Sequence, residues 1–147
     1  MRTAFTIEHA LPNVAAFKAL RDTAGWSHIS LVEAQQALAN SLHGVTAYDG
    51  EKAIGMARII GDGVINAYIQ DVVIAPDYRG QGVGKAVMLA LIVDMQQSIP
   101  AECTIGLLAA KGQEGFYSSF SFITRPNTDY GAGMFAKLAN LADGTLS

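Results

Sequence analysis

Asp71-Val72-Val73-Ile74-Ala75-Pro76-Asp77-Tyr78-Arg79-Gly80-Gln81-Gly82-Val83-Gly84-Lys85 decides the fold. An apolar run with the character of a strand ends at Pro76-Asp77, a pair that stops strands. Three alternating glycines follow, and from Val83 to about Gln97 the pattern predicts a long helix. A strand, a tight turn, a glycine-rich loop and a helix start make an anion site. The free N–H groups of a first helical turn point outward, and the helix dipole favours negative charge there. Glycines let the backbone approach a phosphate closely, and Arg79 or Lys85 adds positive charge.

Two familiar phosphate loops do not fit. A nucleotide-triphosphate loop requires Gly, four residues and then Gly-Lys-Ser/Thr, but Gly84-Lys85 is preceded by Arg79 and followed by Ala86. A dinucleotide fingerprint requires G-x-G-x-x-G. Counting from Gly80 the third glycine falls on Lys85, and from Gly82 it falls on Val87. A glycine turn without a ligand is disfavoured by the entropy that three glycines lose on folding.

Working outward, Ala4 to His9 reads as a short strand, and Val14, Phe17, Ala19 and Leu20 carry helical spacing from Pro12 up to Gly25. Ser30-Leu31-Val32-Glu33 has the form of a capping box and predicts a helix from Leu31 to about Leu42. Val45–Tyr48, Lys52–Ile60 and Val64–Ile74 read as a meander, with Asp49-Gly50 and Gly61-Asp62-Gly63 as its turns. The helix after the glycine loop is apolar on most sides (Val87, Leu89, Ala90, Leu91, Ile92, Val93), which predicts burial against a sheet. Thr104 to Ala109 reads as a strand of the sheet centre and Gln113 to Phe120 as a short helix. Phe122–Arg125 and Gly133–Lys137 read as two closing strands around a polar loop. The order predicts an α+β fold on one central sheet.

The chain has 147 residues, enough for one domain over 1–147 with its own core. Half of it is hydrophobic and 16% is charged, which excludes intrinsic disorder. A net charge of −3 argues against nucleic acid as the partner. The longest apolar run, Ala86 to Val93, is too short to span a bilayer, and the N-terminus has no apolar signal core. A cytoplasmic location is the expectation. Cys103 is the single cysteine and reads as a small packed thiol at a strand start rather than a nucleophile. No His/Cys spacing suits a metal, so none is expected.

The segment Val72 to Gly84, with its Arg-Gly-x-Gly-x-Gly core, resembles motif A of the GNAT superfamily of N-acetyltransferases. Phe116-Tyr117-Ser118-Ser119-Phe120-Ser121-Phe122 is similar to the family's F-Y-x-x-x-G-F segment, with Ser121 where the family usually has Gly, a change that alters a local turn. Arg21 to Trp26 and Tyr130 to Met134 resemble a bacterial subgroup of small members. The resemblance implies a mixed, mostly antiparallel sheet flanked by helices on both faces, and acetyl-CoA as cosubstrate. It also implies that Val72, Val73 and Ile74 meet the pantetheine arm and thioester through their backbone. Arg79, Gly80, Gln81, Gly82, Val83 and Gly84 then wrap the pyrophosphate, and Lys85 adds a contact. The strand ending at Ile74 is implied to splay from the Thr104 strand and admit the cofactor.

Direct acetyl transfer to an amine needs a neutral nucleophile, an oxyanion donor, an acid for the leaving thiolate and in-line positioning. Tyr117 is the candidate acid, because a phenol with pKa near 10 stays protonated at neutral pH. The Val73 N–H is the implied oxyanion donor. A primary amine is only about 0.04% neutral at pH 7, so it needs desolvation or a relay. No base is evident. Tyr68 and Gln70 occupy the inward positions of the strand, and neither is a base. Asp71 faces the other way under strict alternation, which a bulge would reverse. Trp26, His28, Tyr68, Gln70 and Tyr130 are candidate acceptor contacts, Trp26 being equally suited to anchoring the core, and His9 and His43 read as surface or capping residues. The acceptor is expected to be a small-molecule primary amine, and a homodimer is compatible with the sequence. Two other classes fit the same residues: an acyl-CoA sensor without catalysis, which the missing base favours, and an interaction protein whose loop binds nothing.

Overall fold

In a computed structural model the described residues are 4–144, and they fall into two compact units that meet between Leu107 and Leu108. The first carries all the strands. In order it comprises β1 (Thr6–Glu8), α1 (Val14–Thr23), α2 (Leu31–Ala39), β2 (His43–Asp49), β3 (Lys52–Gly61), β4 (Asn66–Ile74), a 3-10 turn (Pro76–Tyr78), α3 (Val83–Ser98) and β5 (Thr104–Gly106). The sheet order is β1-β2-β3-β4-β5, antiparallel up to β4 and parallel between β4 and β5.

Local chemistry sets the helix starts. Asn13 caps α1, its side chain accepting the Ala16 N–H at 2.8 Å. Ser30 and Glu33 close the capping box reciprocally, at 3.1 and 2.9 Å. Helix α2 ends at Ala39, before the expected Leu42, because Leu42 already bonds to β3 through Ile59 O. The β3–β4 turn is tied by Asp62, whose Oδ1 accepts the N–H groups of Val64, Ile65 and Asn66. That single oxygen keeps Val64 and Ile65 out of β4 and leaves both exposed.

Alternation along β3 sends successive side chains to opposite faces. Met56 joins Phe17, Leu20, Ala34 and Val73 in a cluster under α1 and α2. Gly55, its neighbour, faces α3, where a β-carbon would sit 3.2 Å from Val83 Cγ1 and 2.6 Å from Ile74 Cδ1. Helices therefore cover both faces. Only one side of α3 is buried, through Val83, Val87, Met88, Leu91 and Met95, whereas Leu89 and Val93 are exposed.

Three sequence expectations are corrected. The Thr104 strand is short and lies at the sheet edge rather than its centre, because it pairs with β4 alone. Cys103 stands in the turn before it, its N–H bonded to Pro100 O, and is half-buried. Burial, with the charge of Asp62, raises its thiol pKa, which suits an inert cysteine. In the second unit, α4 (Glu114–Ser118) forms, but Phe122–Arg125 and Gly133–Lys137 are not strands. There Asn127 Oδ1 takes the N–H groups of Asp129 and Tyr130, and Arg125 Nε donates to Gly131 O at 2.7 Å. These bonds close the loop between the expected strands on itself, while Phe122 N–H turns back to Tyr117 O and Thr124 O accepts from Asn127 Nδ2, which draws part of the first expected strand into local structure. Among the described residues no helix is long and apolar enough to cross a membrane.

Candidate active site

Strand β4 supplies the first half of the site. It pairs with β5 only through Asn66↔Thr104, Ala67↔Ile105 and Tyr68↔Gly106. Beyond Tyr68 the β5 side of β4 has no strand against it among the described residues, so the backbone from Ile69 to Ile74 borders an open edge. A strand edge of this kind presents unused N–H and C=O groups to an extended ligand.

A bulge interrupts this edge. Gln70 pairs with Arg58 and Val73 with Met56, so Asp71 and Val72 both fall opposite Ala57. Asp71 has φ +54°, a left-handed conformation that costs a residue other than glycine about 1–2 kcal/mol. The extra residue puts Gln70 and Val73 on the same face, and it turns Asp71 to the α1–α2 side. Ala75 N–H donates to Ile54 O at 2.7 Å, which fixes the phase of the ladder. Along the regular stretch Val73 must then turn its N–H toward β3, while Ile74, and Val72 before it, turn theirs to the open edge. The Val73 amide, implied as the oxyanion donor, is thus directed into the sheet by the register.

The loop after β4 is the second half. Gly80 and Gly82 have φ of +75° and +86°, which explains both glycines. A β-carbon at either would meet nothing within 4 Å, so backbone conformation, not space, demands them. Gly82 caps α3 without a side-chain hydrogen bond, leaving the first-turn amides of Val83, Gly84 and Lys85 uncovered by any cap residue. Arg79 is exposed and its Nε holds Ile74 O at 3.1 Å, joining the loop to the strand edge. Gln81 braces the loop through Asp77 O at 3.0 Å, and Lys85 is exposed on the first turn. A neighbouring cavity of about 420 Å³ opens between α1 and the strand ends, walled by Ala16, Ala19, Leu20, Ala53, Ala75 and Pro76.

On the α1–α2 face, Tyr68 is 46% exposed and Gln70 half-buried. Both share this face with a charge cluster that sequence reasoning missed. Asp71, 8% exposed, accepts from Arg21 of α1 and from Arg58 of β3. Arg58 also reaches Ser41 Oγ at 3.1 Å and stacks 5.5 Å over the Phe17 ring. The Arg21 guanidinium lies 5.1 Å over the ring of Trp26, which is 40% exposed in the loop between the two helices. Trp26 is therefore neither a core anchor nor free, but a lid on Arg21. His28 is exposed and 3.9 Å from Asp22. Only three-dimensional pairing brings positions 21, 58 and 71 together, and an isolated Asp beside an apolar run carries no signal of it.

The same holds for His9 and His43. Asp94 of α3 accepts from His9 Nδ1 at 2.8 Å and from His43 Nε2 at 2.6 Å, which pins α3 to the sheet. Burial raises the Asp94 pKa, but the hydrogen bonds and charge of the two imidazoles outweigh it and hold the carboxyl below its usual range.

In the second unit, Tyr117 sits on α4 with its ring edge-on to Phe116 and Phe122, at 5.1 and 6.4 Å. Burial pushes its phenol above the usual tyrosine value. Ser121, after the helix, has φ +76°, the conformation for which glycine is suited. Tyr130 is exposed beneath Arg125, 5.1 Å from its ring.

The pattern of the Acetyltransferase (GNAT) family matches residues 12–122. The GCN5-related N-acetyltransferase 1, chloroplastic, of Arabidopsis thaliana is 38% identical over 60% of this chain and 44% of its own length. An uncharacterized N-acetyltransferase, ycf52, of Pyropia yezoensis is 35% identical over 84% of the chain and 71% of its own. The chain thus spans less than half of the first relative and about seven-tenths of the second. Among solved structures, a probable acetyltransferase from meticillin-resistant Staphylococcus aureus superposes with a TM-score of 0.81 at 30% identity, covering 91% of this chain and 99% of that one.

Proposed function

This chain belongs to the GNAT family of acetyltransferases, and we propose that it moves the acetyl group of acetyl-CoA to a small primary amine by direct attack. The carrying observation is the continuity of an open strand edge, Ile69 to Ile74, with a doubly left-handed glycine loop and a helix start that has no side-chain cap. An extended arm that ends in a pyrophosphate fits such a path. The amide edge bonds the arm, and the first turn of α3 receives the phosphates with Arg79 and Lys85 beside it.

The geometry supports Val72 as the oxyanion donor, since its N–H faces the open edge while that of Val73 faces β3. Tyr117 supplies the proton to the departing thiolate, its phenol kept protonated by burial. Asp71 is unsuited to serve as base, because both its oxygens already accept from guanidinium groups. The amine proton leaves through water. Arg21 and Arg58 outnumber Asp71 on the acceptor face, and surplus positive charge disfavours the ammonium form of an arriving amine. Trp26, Tyr68, Gln70 and Tyr130 contact the acceptor.

The test is thermal stabilisation by CoA and acetyl-CoA against ATP and NAD, followed by thiol release over a panel of amines. Selective stabilisation by the CoA compounds is expected, because a ligand that binds only the native state must stabilise it. Stabilisation by ATP or NAD alone would refute the cofactor assignment.

A further inference from the structure

Asp71 combines three features that seldom meet in one residue: a left-handed backbone without being glycine, near-complete burial of a charge, and two guanidinium partners from different elements. A buried carboxylate is retained only where it is paired. Backbone strain persists only where its surroundings over-determine it. Here the same two arginines do both. Arg58 reaches Asp71 through Nε from the neighbouring strand, and its other nitrogen is fixed on Ser41 Oγ at the end of α2. Arg21 reaches it from α1 through one terminal nitrogen, while its buried Nε has no partner among the described residues. Arg58 is thus tied to a second polar partner, whereas Arg21, besides Asp71, is flanked by the rings of Trp26 and Phe17.

We propose that Asp71 is a positioning residue for acetyl transfer: clamped by Arg21 and Arg58, it holds the bulge that turns the Val72 N–H to the open edge of β4. This rests on the acetyltransferase reading above. The carboxylate touches neither cofactor nor acceptor; it acts through the backbone that follows it. Because Arg21 also carries Trp26, the loop between α1 and α2 is linked to the bulge through a single guanidinium, and an acceptor that moves Trp26 loads the clamp.

The clamp and the left-handed backbone are separable by substitution. Asp71→Gly permits the same φ without a carboxylate, and Asp71→Asn tolerates it while removing the charge. Arg21→Lys keeps the charge and loses the planar fork. The measurements are kcat and KM for a turned-over amine, the CoA dissociation constant and the melting temperature. A misaimed donor is expected to lower kcat about 100-fold in Asp71→Gly, less in Asp71→Asn and about 10-fold in Arg21→Lys. CoA affinity should stay within about threefold, because the pyrophosphate loop is untouched. Should Asp71 variants fail to fold, Arg21→Lys carries the test alone, since it leaves the Asp71–Arg58 pair in place. Wild-type kcat in folded Asp71→Gly or in Arg21→Lys overturns the proposal. A wild-type protein that CoA does not stabilise would instead refute the acetyltransferase reading, and this proposal with it.

Discussion

Tyr68 lies across the backbone of Gly106, so close that a β-carbon at position 106 would meet its Cε1 at 2.7 Å. This is the last residue pair before β4 and β5 part, so the ring marks the inner end of the open edge. Gly106→Ala should push the ring aside and cost about 1–3 kcal/mol by overpacking. Calorimetry gives the stability, and kinetics should show a raised acceptor KM with CoA affinity little changed. An unchanged acceptor KM would take Tyr68 out of the acceptor site.

Gly82→Asp should abolish stabilisation by CoA. Open space around the position means that no clash opposes the new side chain. The penalty is a left-handed backbone at φ +86° and a carboxylate where the proposed function places phosphate. Gly82→Ala separates the two, costing about 1 kcal/mol of stability while keeping measurable CoA binding. Equal CoA affinity in the Asp variant and the wild type would remove the loop from the cofactor site.

Tyr117→Phe should lower kcat at least 10-fold with little effect on CoA affinity. The phenol is raised above its ordinary value near 10, so the protonated acid persists to alkaline pH. The wild-type profile should therefore keep its acid-dependent limb up to pH 10 or beyond. A turnover rate in Tyr117→Phe equal to wild type would assign proton delivery elsewhere.

Ser121→Gly should stabilise the chain by about 1 kcal/mol, read as a higher denaturation midpoint. At φ +76° a serine β-carbon is strained, and glycine relieves it at some cost in unfolded-chain entropy. A fall in the midpoint would mean that the side chain contributes more than its strain costs.

Asp94 makes stability depend on acid. Its folded pKa is lowered, so its contribution is present above the ordinary carboxylate value and is lost as pH falls through the folded one. Melting temperature should drop more steeply below about pH 4 in the wild type than in Asp94→Asn. At pH 7 the variant should lose about 1–2 kcal/mol, since two imidazole bonds weaken together. Parallel pH profiles would show that the His9–Asp94–His43 bridge is energetically silent.

What was legible follows from range. Capping, turn chemistry and glycine conformation act within a few residues, so the capping box at Ser30 and the glycine loop could be read from the chain, whereas Ser121 stood out only against the family segment it resembles. The bulge could be framed only as a condition, because register depends on the facing strand: Ala57 must be opposite two residues for Asp71 to turn. The Arg21–Asp71–Arg58 clamp and the Asp94 bridge are contacts between elements far apart in sequence, and no local pattern encodes them. The strands expected at Phe122 and Gly133 show the converse. Both stretches carry apolar residues, but Phe122 N–H bonds back to Tyr117 O and Thr124 O accepts from Asn127 Nδ2, so local bonds replace part of the expected ladder.

The strand order has a kinetic meaning. Every neighbour from β1 to β4 is also the next strand along the chain, and the β2–β3 and β3–β4 connections are short turns. The β4–β5 pairing must wait for α3 to be crossed and the β1–β2 pairing for α1 and α2, and each is three residue pairs long. Closing either long connection costs more entropy and returns little ladder, so these two outer pairings form late and open first. The inner boundary of the open β4 edge is thus, with the β1 edge, among the least protected junctions of the sheet, and amide exchange should be faster at Ile105 and Gly106 than in the central strand β3.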